Sequence, residues 1–586
     1  MTVNDLSFDP QDPLYDAPGL PGVRWGVQMF TTSNLYGLDP ALTRQEINGQ
    51  ETRLVCEGLR WAGGQQRGAG YVEVALTQRD GPLSWRIQAR HDEPIKSVKL
   101  LLWGLPDAAL TQGWWTATSA RPGASQGHGE WSEGAAGQAL THPTAQHPLL
   151  WRYPWPEWLT PWACAGEGPG AVCLGVRDPQ VRGKRLYAHT PPYADGPVVE
   201  VVCEEDAAAW DGHFVTPDIR LRVCADVGDI DRDFAEHLAF VEDAYGLPRW
   251  EERGDVPPWL RDVRLLLNLH GQHWTGYVFN TFDRMAEALR FVTRHIPGEQ
   301  VLAYLPGWEG RYYWAYPVYQ PGEDMGGPDG FRRLIATARE LGVHVMPMFG
   351  ANGANAQRYP DWERAAFRND TNRYVILANC PDWDSDRAGD GDQIFLNPGE
   401  PRFREHLLAQ VSAAIAAYDL DSVYLDTSGW WFNDPRYNLY AGYRALLDAL
   451  RTRHPGVMVA GEGWYDALLA LFPLNLSWTG VERSYRYPEL LTRYGRALGH
   501  LADGAPGRGS TGVHEAGFRP AAPTTTAPGH IPSLSIVDDT LERYGDEIAR
   551  ICRMATATPP AETTPPAESG ATVIQTKGGM ARGRTR

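Results

Sequence analysis

The sequence predicts a two-part chain, with an antiparallel β-sandwich followed by a (β/α)₈ barrel of the TIM type. Three observations predict it. Residues 1–250 hold short alternating strand-like runs with little helical periodicity. After Pro257-Pro258 the texture switches to short apolar strands alternating with amphipathic helices, as parallel α/β structure requires. Two of those strands, in the stretch 421–464, each end in a carboxylate, and in a (β/α)₈ barrel such strand ends line the mouth where chemistry is done.

The sandwich rests on YVEVALTQRDGPLSWRIQARH, where two alternating runs flank Asp80-Gly81-Pro82 as in a hairpin. IKSVKLLLWGL, AVCLGVRD, GPVVEVVCEED and DIRLRVCADVG supply further strands. The run IDRDFAEHLAFVEDAYGL reads as the connecting helix. WRYPWPEWLTPW, with Trp151, Trp155, Trp158 and Trp162 among prolines, reads as a stiff loop packing on the next domain in preference to a carbohydrate-facing platform.

The barrel is assigned to residues 257–556. Strand one, 263–269, leads to His270 and His273, and a helix runs from Phe282 to about His295. Strand two, QVLAYLPGW, precedes the aromatic loop EGRYYWAYPVYQPGED; strand three is 343–350. The 350–400 connection is too long for an ordinary βα loop and reads as an insertion at the mouth. A helix from Glu400 to Tyr418 leads to strand four, which ends in Asp426. Strand five ends in Glu462. LNLSWTG is expected as strand six, TGVHEAGF as strand seven, and IPSLSIVDD with the residues after it as the last strand and helix. The tail 557–586 is Thr/Pro/Ala-rich and expected to be disordered.

Composition narrows the function. A formal charge of −18 argues against nucleic acid or an anionic membrane as partner. No apolar run is long enough to span a bilayer, and the first residues lack the pattern of a signal peptide. Seven scattered cysteines, without CxxC spacing, give neither a zinc site nor a disulfide framework. The cytoplasm is the expected compartment. The 23 Trp and 25 Tyr suit a protein that stacks rings on pyranoses, although large rings also fill large cores.

Glycoside hydrolysis needs two carboxyls flanking the scissile bond, one ionised and one protonated. Adjacent parallel strands lie roughly 4.8 Å apart, so Asp426 and Glu462 at neighbouring strand ends fit the roughly 5–5.5 Å of a retaining mechanism. Asp426 is expected as nucleophile and Glu462 as acid/base, kept protonated by an apolar setting beside Trp464. The competing structural role is helix capping. Trp430, Trp431, Trp308, Tyr312 and Trp314 are expected substrate-binding rings, with Trp464, and His270 and His273 expected partners for sugar hydroxyls. The acids of PDWDSDRAGDGD, Asp382 to Asp392, lack the calcium-loop pattern, so no metal and no cofactor is expected.

Asp ending strand four, Glu in a GE-x-W setting ending strand five, and a long insertion after strand three resemble the α-amylase superfamily. With a β-sandwich ahead of the barrel, the chain looks more like the endo-α-N-acetylgalactosaminidases and other barrels with a galactose-mutarotase-like domain. The resemblance implies a retaining α-glycosidase acting on an oligosaccharide or glycoside. It departs at Tyr424, where amylases place an arginine, and only His514-Glu515 offers their third acid. Two alternatives stand: a glycosidase taking its acid from strand six, as α-galactosidase-like and α-glucosidase-like barrels do, or a catalytically inactive sugar-binding barrel.

Overall fold

In the computed structural model of the chain, the described residues are 14–557 apart from 49–50, 62–65, 79–80, 111, 118–147, 155–157, 191–196, 274–275, 370–375, 378–392, 464, 477–486 and 501–528. Two nine-stranded sheets are followed by a closed barrel of eight strands.

Both sheets are antiparallel and follow from period-2 alternation. Leu83, Trp85, Ile87 and Ala89 of the strand Leu83–Arg90 are buried while their neighbours are more open. The hairpin around Gly81 pairs Gln78 with Leu83, and Gly81 takes the turn at φ 107°. Inward residues of the two sheets meet, with Trp25 edge-on to Trp85 at 6.5 Å between ring centroids. The helix Val227–Tyr245 then closes over one sheet. Asp226 caps its first turn, Gly246 ends it at φ 59°, and Asp233 accepts from the Trp162 indole at 3.0 Å.

The barrel strands are β1 (Leu265–Asn268), β2 (Val301–Leu305), β3 (His344–Gly350), β4 (Ser422–Asp426), β5 (Met458–Glu462), β6 (Leu474–Leu476), β7 (Arg496–His500) and β8 (His530–Ser535). Neighbours pair in parallel around the ring, and β8 closes on β1 with Leu266 opposite Ser533. Strands β1 to β5 are built almost wholly of buried apolar residues, as a sheet covered on both faces demands. Helices Phe282–Val292, Gly327–Glu340, Pro401–Tyr418 and Leu439–Arg453 come after the first four strands. After β5 there is only the four-residue helix Asp466–Leu469 among the described residues before β6.

One strand differs from expectation. The seventh is Arg496–His500, not TGVHEAGF, which lies outside the described residues with His514 and Glu515. Its Arg-Ala-Leu-Gly-His sequence has too few apolar residues to stand out, and it is recognised by its pairing with β6 and β8. The 350–400 connection carries a small three-stranded sheet, 353–355, 376–377 and 393–395. The acidic run 382–392 lies outside the described residues, as do Trp155, Trp464 and 558–586. No described helix is long and apolar enough to cross a membrane.

The Trp/Pro-rich loop of the sandwich seats against the barrel. Asp466, buried at the start of the short helix after β5, accepts from the Tyr153 hydroxyl at 2.7 Å and the Thr160 hydroxyl at 2.8 Å. Its own N–H donates to the Leu159 carbonyl at 2.8 Å. Burial pushes its carboxyl up to about 6, while the two hydroxyls pull it back. Tyr153→Phe removes one of those donors from a buried acid and is expected to cost about 1.5–3 kcal/mol, read as a lowered urea midpoint with the far-UV spectrum unchanged.

Candidate active site

The site begins with strand register. Leu425 of β4 lies opposite Gly461 of β5, so the next residues, Asp426 and Glu462, leave the barrel side by side. Their carboxyls lie close enough for the charge of Glu462 to act directly on Asp426. Asp426 is only 4% exposed, and among the described residues no N–H or hydroxyl donates to its Oδ2.

Beyond Asp426 the chain turns through Thr427, whose φ of 60° is the left-handed region that a β-branched residue seldom enters. Three contacts hold it there. Its N–H donates to Glu462 Oε2 at 2.6 Å, and its hydroxyl donates to the Asp426 carbonyl at 2.7 Å and to Asn352 Oδ1. The Asn352 amide in turn donates to the Thr427 carbonyl at 3.2 Å. Glu462 is bound to the same turn through its backbone: its N–H donates to Ser428 Oγ at 2.9 Å, and its carbonyl accepts from the Gly429 N–H at 2.6 Å. A Cβ on Gly461 would lie 2.7 Å from Ser428 Oγ and 2.9 Å from the Phe472 ring. The glycine of the Gly-Glu pair is therefore a condition of the close approach.

Electrostatics then act on two neighbouring acids. Burial, the Glu462 carboxylate, and then Glu309, all hold the Asp426 carboxyl well above the usual range; the Thr427 backbone N–H opposes them. The two acids are close enough that this titration belongs to the pair and not to Asp426 alone.

The sequence alone does not single out Glu309. It lies beyond β2 in the run PGWEGRYYW and is 7% exposed, and neither carboxyl oxygen has a partner among the described residues. Burial pushes it up to about 8. It lines a cavity of about 390 Å³ together with Gln272, Arg311, Trp314, Asp324 and Arg358. Its charge is felt by Asp426, Tyr316 and Tyr319, although neither Asp426 nor Glu462 lines this cavity. The signal available in the sequence is an isolated acid in an aromatic loop at a strand exit.

The expected binding residues do not converge on one place. Trp314 lines the cavity beneath the Arg311 guanidinium, 5.1 Å from its ring centroid. Trp430 and Trp431, half-buried, come soon after Asp426, with Trp430 4.8 Å from Phe395. His270 and His273 are buried at the β1 exit in a cluster with Phe279 and Tyr312; His270 lies 5.5 Å and His273 6.1 Å from the Tyr312 ring, and none of these lines the cavity. Trp308 departs from expectation. It is fully buried, stacks on Phe331 at 5.0 Å, and donates its indole N–H to the Met348 carbonyl at 2.7 Å, which makes it a core residue. Trp464 lies outside the described residues, so its place beside Glu462 rests on sequence alone.

No family model and no curated protein matches the chain. Among solved structures, the ligand-free α-N-acetylgalactosaminidase of Bifidobacterium bifidum matches with a TM-score of 0.61 at 13% identity, covering 93% of each chain. The same enzyme in complex with Gal-NHAc-DNJ gives a TM-score of 0.62 at 13% identity, again with 93% of each chain covered. A GH36 α-galactosidase of Geobacillus stearothermophilus gives 0.47 at 12% identity, covering 94% of this chain and 78% of that one. The chain shares its fold with the Bifidobacterium enzyme. These matches lend the α-amylase side of the sequence resemblance no support.

The buried acid gives a pH prediction. Because the folded state holds the Glu309 proton up to about 8, against roughly 4.3 for an unperturbed glutamate, folding favours the protonated form. That contribution is complete below the unfolded value and is lost as pH rises through about 8. Glu309→Gln is expected to remove this decline, so that the variant gains on wild type between pH 5 and 9 by roughly a few kcal/mol, measured by urea unfolding across that range.

Proposed function

We propose that the protein is a glycoside hydrolase, a retaining α-glycosidase whose nucleophile is Asp426 and whose acid/base is Glu462. The observation that carries this reading is the pair of carboxylate residues that strand register sets level at the ends of β4 and β5, with Asp426 buried. Acids level on adjacent parallel strands, roughly 4.8 Å apart, suit the roughly 5–5.5 Å of a retaining enzyme better than the roughly 6.5–9.5 Å of an inverting one. The fold held in common with an α-N-acetylgalactosaminidase supports an α-linked N-acetylgalactosamine residue as the sugar cleaved.

Before substrate binds, burial favours the proton on Asp426, while the Thr427 N–H favours charge on Glu462. That is the reverse of what attack requires. A bound glycoside corrects it: positive charge developing at the anomeric carbon draws negative charge onto Asp426, and the proton passes to Glu462. Asp426 then attacks the anomeric carbon as Glu462 gives its proton to the departing oxygen. Water completes the cycle. Glu462 takes a proton from it, its oxygen bonds to the anomeric carbon, and the Asp426 carboxylate is released. Glu309, in the neighbouring cavity, is placed to hydrogen-bond sugar hydroxyls.

A panel of aryl α-glycosides tests this. Asp426→Asn is expected to lower kcat by about 10³-fold or more on every substrate that wild type cleaves. Glu462→Gln is expected to lose roughly 10²–10⁴-fold on poor leaving groups and far less on dinitrophenyl glycosides, which need no protonation. The alkaline limb of the wild-type profile, set by loss of the acid's proton, disappears in Glu462→Gln. The first product seen by NMR is the α-anomer. If Glu462→Gln is fully active on poor leaving groups, the acid belongs to the β6 side, where 477–486 lie outside the described residues. If no glycoside is cleaved while sugars bind, the barrel is a sugar reader.

A further inference from the structure

A second cavity, of about 740 Å³, lies far along the chain from the barrel acids, on the first sheet of the sandwich. Its floor is the sheet face opposite the core: Trp25, Val27 and Met29 point inward, and Phe30 points out with Lys99, Tyr187 and Glu200 from neighbouring strands. A sheet face turned to solvent ordinarily carries separate polar side chains. This one carries rings and matched ions. Phe30 is 38% exposed and Leu150 46%, and Tyr187 and Trp210 are half-buried in the same wall.

The acids are already paired, and the Lys96 ammonium lies 4.9 Å from the Trp210 ring centroid. Glu200, 4% exposed, meets Lys99 at 2.9 Å and the His189 ring at 3.2 Å, and Arg185 meets Glu204 at 2.9 Å. The rim is fixed as well, because Glu93 accepts from the hydroxyls of Thr31, at 2.6 Å, and Ser33, at 2.5 Å. A groove of this size falls within the range of small-molecule sites. Its ion pairs offer hydrogen bonds and leave no unpaired acid in the lining to draw a cation, and its half-open rings offer apolar faces. A ligand that satisfies both is uncharged, rich in hydroxyls and apolar on one face.

We propose that this sandwich groove is a second carbohydrate site, binding a neutral oligosaccharide by stacking on Trp210, Phe30 and Tyr187 and by hydrogen bonds to the Lys99–Glu200 and Arg185–Glu204 pairs. It goes beyond the hydrolase reading and does not depend on it, since occupancy of the groove needs no bond cleavage.

The test is calorimetric titration of the full chain, in an Asp426→Asn background so that no sugar is consumed, with galactose, N-acetylgalactosamine and stachyose as neutral probes and oligogalacturonate as the anionic one. The expected result is that Trp210→Ala and Phe30→Ser each weaken stachyose binding at least tenfold and remove a site from the stoichiometry, while Trp210→Phe restores most of it. In the catalytically intact chain the same substitutions leave hydrolysis of an aryl glycoside unchanged, which separates failure of the groove from failure of the barrel. The proposal is overturned if stachyose binds the alanine and serine variants as it binds their parent, if no neutral probe binds at millimolar concentration, or if oligogalacturonate is preferred.

Discussion

The hydrogen bond from the Thr427 backbone to Glu462 Oε2 is the contact on which the barrel mouth depends. It ties the residue after one acid to the side chain of the other, across two parallel strands whose register sets them level. To make it, Thr427 must enter the left-handed region, a conformation costing of order 1–3 kcal/mol, and the Asn352 and Ser428 contacts over-determine the turn enough to hold it. Gly461 and Gly429 bring the backbones close enough. A Cβ on either would meet an atom at 2.7–2.8 Å. The paired acids are thus a product of backbone packing before they are a product of side-chain chemistry.

That packing encloses an unusual charge balance. Tyr424, two residues before Asp426, is fully buried inside the barrel with its ring 4.6 Å from that of Tyr304. An arginine there would place a cation near the acids and hold Asp426 ionised. With a tyrosine instead, burial prevails, and Asp426 and Glu309 both favour their neutral forms. Like charges in a poorly solvated site cannot all be ionised together. Burial at the mouth therefore opposes charge on Asp426 and on Glu309 alike.

Most of this is legible in the sequence where one residue type carries one physical demand. The apolar runs of β1 to β5 announce a doubly covered sheet, and Asp426 and Glu462 stand at the exits of two of them. Glu400, read as a helix start, does cap that helix by accepting from the Phe403 N–H at 2.8 Å. Legibility fails where tertiary contacts decide. Trp308 looks like a surface ring in an aromatic loop, yet Phe331 and Phe349 enclose it. Strand β7 is too polar to announce itself, and is recognised by the ladders it makes with β6 and β8. Glu309 escapes a reading of the sequence because its importance comes from its burial away from donors, which only the folded chain reveals.

The sandwich reaches the site by holding the segment beyond each acid. After Asp426, the loop is fixed at Asn433, which accepts from the Ala207 N–H at 2.6 Å and donates to the Glu205 carbonyl at 2.9 Å, and at Asn438, whose amide donates to Asp206 at 2.6 Å. After Glu462, the chain is fixed at Asp466 by Tyr153 and Thr160. Each carboxylate strand is therefore anchored on its far side by a sandwich loop. The barrel's own helix after β5 is only four residues long and supplies little such support. Because the sandwich supplies that support, removing it would loosen the very strands that must hold two acids within a proton's reach. The 205–210 segment also ends in Trp210, on the wall of the sandwich groove, so the polypeptide that braces the loop after Asp426 is the same one that forms part of the second cavity.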